Sequence, residues 1–553
     1  MQSSVWMLLL GSSRGVFAVA TLASVASGVA NMLLVALINE ALVAESAQLS
    51  GLGAQFGGLA VAALGARWLA EDRFARLGQD CLSRLRRLLA QASRAASYAG
   101  LEAVGSSPIM AALSEDVSVV SQLAVALPFA FMYSAMIAGC LLYLGFMNME
   151  LLSWMLLLLA LGSGGYLLLE RRAVALLRRA RRLDDQVFAL FRSLVDGAKE
   201  LRVHSRRANE FAAEVEGSIE GVRSMRLRGL RWTVVSTSVG TFLFFVAIGV
   251  VLFVLAPILG LGRHVTAGYA LVFLYMILPL EALLGCVPKV QQARVAVDNL
   301  SQLLGRLSLE TEEPQSVSQV PLQPATLQLR KVTHRYQGGS EERGFAVGPL
   351  DLRLRAGEII FIVGGNGSGK TTLAKLLVGL YSPEGGTILL DGVAVDEGGR
   401  QAYRNLFSTV FFDFHLFERL YGLDSPTVDA RARDWLSLLD LQDKVRIEGG
   451  RFSTIALSAG QRRRLALVVA LLEDRPFYLF DEWAADQDPG YKRVFYEEVL
   501  PDLRRRNKLV VAITHDERYF DVADRLLRLE AGEITCQARS PECAVGTELL
   551  HRP

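Results

Sequence analysis

The stretch 358–378, EIIFIVGGNGSGKTTLAKLLV, runs from a buried-type apolar strand through a glycine-rich loop into a helix. Gly364, Gly369, Lys370 and Thr371 hold the spacing G-x-x-x-x-G-K-[ST]. Backbone N–H groups of such a loop, together with the N-terminus of the helix behind it, cradle phosphate oxygens. Lys370 is expected to reach the β- and γ-phosphates of a nucleoside triphosphate, and Thr371 to take a Mg²⁺ ion. Asn366, Gly367, Ser368 and Thr372 belong to the same cradle. A chance glycine-rich turn seldom sits between a strand and a helix with a Lys-Thr pair at this spacing.

A second apolar strand, FYLFDE at 477–482, ends in two carboxylates. Alone, an Asp-Glu pair after a strand is often no more than the strand's end. Downstream of a phosphate loop it acquires chemistry. Asp481 is expected to hold the Mg²⁺ shell, and Glu482 to orient and polarise an attacking water. The reaction these residue types suit is hydrolysis of a nucleoside triphosphate with Mg²⁺.

The elements around this chemistry divide the chain in two. Its 553 residues exceed one ordinary domain, and 52% of them are hydrophobic. Mean hydropathy is +0.32, high for a soluble protein. Net charge is only +2, from 58 basic and 56 acidic residues, which argues against a nucleic-acid partner. The five cysteines are scattered with no CxxC pair, so neither a disulfide framework nor a zinc site is expected. Six apolar stretches, near 15–38, 54–70, 123–147, 151–169, 233–259 and 266–289, suit bilayer-spanning helices. One such run can be a buried core helix; six together read as a membrane domain. The short apolar N-terminus, MQSSVWMLLL, has no basic leader before it and is expected to be a retained interfacial helix.

Arginines crowd 71–122 and 170–231, whereas 41–52 and 147–150 carry no Lys or Arg. The positive-inside rule places the basic segments, and both termini, in the cytoplasm. Helices are expected to continue into these segments and end in short crosspieces near 102–114 and 192–204. Glu40, Glu71 and Glu281 fall at or near helix ends and read first as interfacial charges. Trp154 and Tyr275 suit either a cavity wall or a lipid face. A polar, proline-bearing linker at 308–325 separates a transmembrane domain, 1–307, from a nucleotide-binding domain, 326–553.

Between the two carboxylate- and phosphate-binding motifs lies LSAGQRRRLALVVALL, 457–472. Leu457, Ser458, Ala459, Gly460 and Gln461 resemble the LSGGQ signature of ABC ATPases. The order of phosphate loop, signature, FYLFDE and Thr514-His515-Asp516 is similar to that of an ABC nucleotide-binding domain, and the membrane half is similar to the ABC exporter plan. The resemblance implies an α-helical six-helix transmembrane domain of the ABC exporter type followed by an α/β P-loop ABC ATPase domain. It implies that Ser458, Gly460 and Gln461 meet the γ-phosphate of ATP held by a partner's loop. It also implies that His515 contacts the γ-phosphate within its own subunit, that Asp488 is the D-loop aspartate, and that Tyr336 stacks on adenine, a part that His334 or Arg335 could take instead. With one phosphate loop and one signature per chain, the family plan calls for a second half-transporter, most simply an identical copy, in the bacterial inner membrane with the nucleotide domain in the cytoplasm.

Three positions depart from the family. Ala459 replaces a glycine. Phe412, in VFFDFHLF, stands where relatives place a glutamine that senses Mg²⁺, with Asp413 next door. ADQD replaces the common SALD. VFFDFHLF together with DEWAADQDP, LEAVGSSPIMAALSEDV and LVDGAKELRVHSRRANEF resembles a bacterial subgroup that exports cyclic peptides and peptide siderophores, such as the pyoverdine and syringomycin exporters. A peptide-type substrate follows from that resemblance. Lipids, drugs, or an imported metal–siderophore complex fit the same architecture, and a non-transporting ATPase is the remaining class.

Overall fold

The computed structural model describes residues 14–42, 48–309, 323–335, 345–423 and 426–538. They form two units: Met1–Arg87 with Ala111–Ser301, and Leu88–Met110 with Gln302–Pro553. The N-terminal run expected to lie on the membrane surface, and Tyr336, fall outside the described residues.

The first unit is built from long helices: α1 (Arg14–Ala41), α2 (Leu49–Ala95), α3 (Tyr98–Val104), α4 (Ser106–Ala111), α5 (Val117–Met147), α6 (Met149–Asp196), α7 (Ala198–Val203), α8 (Ser205–Val250) and α9 (Arg263–Leu309), with α3, α4 and the ends of α2 and α9 counted in the second unit. Five helical stretches are long and apolar enough to cross a membrane: Arg14–Ala41, Leu49–Ala95, Ser106–Met147, Ser205–Ile258 and Val265–Ser308. The remaining expected span, 151–169, falls in α6, where Met149–Leu158 forms a shorter apolar helix among the described residues. At 48 residues α6 is about 72 Å long, more than twice the roughly 30 Å of a bilayer core.

The helix ends follow local chemistry. Asn148 caps α6, its Oδ1 accepting the Leu151 N–H at 2.8 Å. Ser97 caps α3 by accepting the Gly100 N–H at 3.0 Å. The first crosspiece therefore begins at Tyr98, before the expected 102, and continues through α4 and a π-helical turn at Ala112–Asp116. The second is α7, held between Gly197 and His204, and is shorter than expected because α6 runs on to Asp196.

Helices pair where small residues let backbones approach, as packing in lipid requires. The buried face of α1 runs through Ala20, Ala23, Ser24, Ser27, Gly28 and Ala30 to Val35 and Asn39. A Cβ on Gly28 would stand 2.3 Å from the Met132 carbonyl oxygen of α5. Ser27 Oγ donates to the Ala63 carbonyl at 3.2 Å. An aliphatic and aromatic cluster fills the remainder, with Phe244 and Phe273 stacked at 4.3 Å. Leu22, Trp68, Leu142, Phe146 and Phe253 are exposed, as lipid-facing side chains should be. Glu71 is paired with Arg67 at 2.8 Å, and Trp154 is exposed.

In the second unit, β1 (Thr326–Arg335), β2 (Ala346–Arg355), β4 (Gly385–Leu390) and β5 (Val393–Ala394) make an antiparallel sheet in the order β2-β1-β4-β5. A six-stranded sheet has the order β12-β11-β3-β10-β9-β6, formed by β3 (Ile359–Val363), β6 (Phe407–Val410), β9 (Phe477–Asp481), β10 (Leu509–Ile513), β11 (Arg525–Glu530) and β12 (Glu533–Ala538). All its pairs are parallel except β11 with β12. A short pair, β7 (Ile447–Glu448) and β8 (Arg451–Phe452), lies outside both sheets.

Strand residues alternate between two cores. Ile359, Phe361, Tyr478, Phe480, Val510 and Ala512 face one cluster. Ile360, Ile362, Phe477, Leu479, Val511 and Ile513 face the other. Near-continuous apolar strands are what a sheet buried on both faces demands. Helix α10 (Lys370–Val378) packs into the second cluster, while α11 (Pro426–Leu438) and α12 (Ala459–Glu473) pack into the first. Cys81, Cys140 and Cys286 are free thiols.

Candidate nucleotide-binding and hydrolysis site

Sheet order brings the motifs together. β10 pairs with both β3 and β9, with Ile513 opposite Ile362 on one side and Asp481 on the other. The phosphate loop after β3, the Asp481–Glu482 pair at the end of β9 and Thr514–His515 after β10 therefore share one edge. Ligands of open α/β sheets bind at these carboxyl ends.

The loop can only be built from glycine at its tightest points. Gly364 has φ +155°, and a Cβ there would stand 2.2 Å from the Leu529 carbonyl oxygen. Gly369 has φ +99° and precedes the first residue of α10. Lys370 is buried, and its Nζ donates to the carbonyls of Gly364 at 3.0 Å and Gly365 at 2.9 Å. An ammonium has three N–H donors, so one remains for a phosphate oxygen. Burial pulls the Lys370 pKa below its ordinary value, against the opposing pull of Glu482 and Asp481. Ser368 is buried, and its Oγ has no hydrogen-bond partner, whereas Asn366 and Thr371 are exposed.

Asp481 is 2% exposed. Burial raises its pKa, the neighbouring Glu482 and Asp413 add to that, and the Thr371 hydroxyl bond and Lys370 oppose it. Its Oδ2 is buried without a partner. A buried, unpartnered carboxylate oxygen beside a threonine hydroxyl is a donor set suited to a hard divalent cation such as Mg²⁺. Asp413 thus acts electrostatically on Asp481, while the Phe412 side chain, half-exposed and hydrocarbon, has no atom to offer a metal.

Glu482 adopts φ +50°, the left-handed region, which costs a non-glycine residue about 1–3 kcal/mol. Its N–H donates to the Ile513 carbonyl at 3.1 Å, and its Oε1 lies 3.3 Å from His515 Nε2. The residue that follows is fixed: Trp483 is 1% exposed, stacks on Phe495 at 4.4 Å, and donates from Nε1 to the Arg463 carbonyl at 2.9 Å. The carboxylate is therefore presented from a held backbone within reach of His515.

Ser458 is the N-cap of α12 in a complete capping box. Its Oγ accepts the Gln461 N–H at 3.3 Å, and Gln461 Oε1 accepts the Ser458 N–H at 3.1 Å. Gln487 Nε2 donates to the Gly460 carbonyl at 3.2 Å. No hydrogen bond or ion pair among the described residues joins 458–461 to 364–372 of the same chain. Asp488 is exposed at the start of the helix Pro489–Arg493. His334, one of the alternatives for adenine stacking, has its ring stacked on Tyr381 at 4.7 Å.

One cluster went unread in the sequence. The Tyr381 hydroxyl donates to Glu102 Oε2 at 2.5 Å, and Lys375 Nζ donates to Glu102 Oε1 at 3.0 Å. Lys375 Nζ also sits 4.9 Å from the Tyr98 ring centre. Burial and the Glu102 bond push the Tyr381 pKa up to about 12. Burial alone would lower Lys375, but its bonds to Glu102 and Tyr381 outweigh this and hold it raised. The crosspiece helix α3 is so tied to α10, whose first residue is Lys370. Nothing local to Glu102 marks a partner 273 residues away.

Comparison with known proteins agrees with this geometry. Residues 347–485 match the family described as "ABC transporter". The chain is 36% identical over 98% of its length, and 97% of the relative's, to "ATP-binding protein SyrD" of Pseudomonas syringae pv. syringae. It is 29% identical to the "ATP-dependent lipid A-core flippase" of Paraburkholderia xenovorans, over 69% of this chain and 66% of that one. A solved "bacterial Atm1-family ABC exporter with ATP bound" superposes with TM-score 0.74 at 16% identity, covering 96% of this chain and 95% of that one. The chain belongs to the ABC transporter family. It has the fold of an ABC exporter half, and is a multi-pass inner-membrane protein whose cytoplasmic domain hydrolyses ATP with Mg²⁺.

Proposed function

We propose that the protein exports a peptide-type secondary metabolite, a cyclic peptide or a siderophore precursor, working as a pair of identical copies. The observation that carries the substrate class is likeness along the whole chain: the similarity to SyrD spans 98% of it, whereas the similarity to the P. xenovorans flippase spans 69%. The departures at Phe412 and 484–488, which resemble the peptide-exporting subgroup, point the same way.

In this reading the loop 364–369 with Lys370, Thr371 and Thr372 binds the triphosphate, and Thr371 and Asp481 hold Mg²⁺. That ion would neutralise charge developing on the phosphate oxygens. Glu482 orients and deprotonates the attacking water, and His515 steadies the γ-phosphate. Ser458, Gly460 and Gln461 of one copy close over ATP on the other, beside Asp488, and Tyr336 stacks on the base. The exposed tip of α12, its N–H groups converging at the capped N-terminus, is a surface made for an anion. ATP shifts the pump between its states only through its tighter binding to the closed one.

Inside-out proteoliposomes offered a cyclic lipopeptide, an acylated linear siderophore precursor or a lipid A-core analogue test the substrate class. ATP-dependent accumulation of either peptide supports the proposal. Accumulation of the lipid alone would replace it with the flippase reading that the 29–30% identical relatives favour.

A further inference from the structure

Beyond the residues named so far, the geometry points to Arg463 as a positioning residue for ATP hydrolysis: its guanidinium holds the backbone of Glu482 and ties it to Phe412 and Asp486. The inference rests on Glu482 being the residue that activates water.

Arg463 lies in the first turns of α12, two residues beyond the capping box, and its side chain is only 7% exposed. A buried guanidinium must find acceptors for its five N–H groups, or its desolvation goes uncompensated. Those it finds all belong to the hydrolysis site's surroundings. Nη1 donates to Asp486 Oδ2 at 2.8 Å, a short charge-assisted bond, and more distantly to the Glu482 carbonyl at 3.4 Å. Nη2 approaches the Phe412 carbonyl at 3.5 Å, and the guanidinium carbon lies 4.9 Å from the Phe412 ring centre. The backbone takes part too, because the Arg463 carbonyl accepts the Trp483 indole N–H at 2.9 Å.

These contacts converge on the one residue of the site whose backbone is strained. Glu482 sits at φ +50°, and its carbonyl accepts both Arg463 and the Ala485 N–H at 3.2 Å. A left-handed glutamate persists only where its surroundings over-determine it. On one side β9 supplies that restraint, and on the other Trp483 and Arg463 supply it together. Loss of the guanidinium leaves the carbonyl to the Ala485 N–H alone and lets the carboxylate drift from the position that hydrolysis needs. Phosphate binding uses the loop after β3, whereas the Arg463 bonds go to Asp486, Glu482 and Phe412. Through the Phe412 ring the same guanidinium also fixes the loop that carries Asp413, the carboxylate that acts on Asp481. Arginine is required because a lysine has the charge but not the planar fork that reaches three acceptors at once.

The test uses the full-length protein in lipid nanodiscs, with steady-state ATPase, binding of a fluorescent ATP analogue and thermal unfolding measured on each variant. Arg463→Gln should lower kcat about 10- to 100-fold, the scale of a roughly 1 Å misplacement, with KM for ATP unchanged. Arg463→Lys should recover part of the loss. Asp486→Asn, at a residue 63% exposed and so safe for folding, should lower kcat in the same direction by a smaller factor. Analogue affinity and unfolding temperature should stay at wild-type values in all three. A wild-type kcat in Arg463→Gln, with Glu482→Gln inactive in parallel, would overturn the positioning role alone. A fully active Glu482→Gln would overturn the underlying reading as well. Loss of kcat, affinity and unfolding temperature together in Asp486→Asn would make the network merely structural and equally refute it.

Discussion

The two units solve their packing problems in opposite ways. In the nucleotide-binding unit, large side chains alternate across a sheet buried on both faces, and the chemistry sits where strands end: Asp481 closes β9, and Gly364, Glu482 and Thr514 each follow a strand whose interior is apolar. In the membrane unit, an apolar cluster is present too, but the closest backbone approaches are made at the smallest residues. Gly28 on α1 meets the Met132 carbonyl of α5, Gly139 meets Met32, and Gly229 meets Leu177. Water drives the first kind of packing and is absent from the second. A lost side chain is therefore the damaging change in one unit, and a gained one in the other.

That contrast can be broken most sharply at the site. Glu482→Gln should lower ATP turnover about 10²- to 10⁴-fold, the usual loss of a general base, while leaving nucleotide affinity intact. Steady-state hydrolysis beside analogue binding separates the two. Lys370→Ala should act in reverse order, weakening nucleotide binding itself by about 10- to 100-fold, as removal of a charged hydrogen bond costs about 1.5–3 kcal/mol; unaltered affinity would remove Lys370 from phosphate binding. In the membrane unit, Gly28→Val should destabilise the protein by about 1–3 kcal/mol through overpacking, read as a lower unfolding temperature in detergent with ATP affinity unchanged. The smallest effect is expected at Asn39. Its Nδ2 donates to the Tyr143 hydroxyl at 3.0 Å, and its Oδ1 is buried without a partner. Asn39→Leu removes a bond worth about 0.6 kcal/mol on average in a membrane protein and an orphaned acceptor together, so unfolding should barely move. A large shift there would mean that polar groups, not small ones, hold these helices.

The same contrast explains what could be read before any coordinates. A phosphate loop, a carboxylate pair and a signature need particular residue types at fixed spacing, so 364–371, 481–482 and 457–461 announce themselves. The sheet order that gathers them does not, since it depends on pairings such as Ile513 with Asp481, 32 positions apart. Membrane spans were legible from hydropathy, but crosspiece boundaries were not. Ser97 as an N-cap is one serine among many, and it moved the first crosspiece forward to Tyr98. Arg463 was hidden by its neighbours, because RRR at 462–464 reads as a solvated basic run while two of its three members are buried. Arg464 spends its guanidinium on the Leu439 carbonyl at 2.7 Å and the Tyr491 ring at 3.7 Å. Burial at the foot of a helix, not composition, separates these arginines from the exposed Arg462 and Arg505.

A mixing experiment tests most directly whether ATP is hydrolysed by a site completed across two copies. Lys370→Ala disables the phosphate loop. Ser458→Asp keeps a good helix cap but sets a negative charge where the partner's γ-phosphate would lie. Each variant alone should be inactive in lipid. Co-reconstituted after dissociation, they should regain part of the ATPase activity, since a mixed pair retains one intact loop facing one intact signature. Activity that stays at zero in the mixture, with both variants folded and paired, would contradict the composite site.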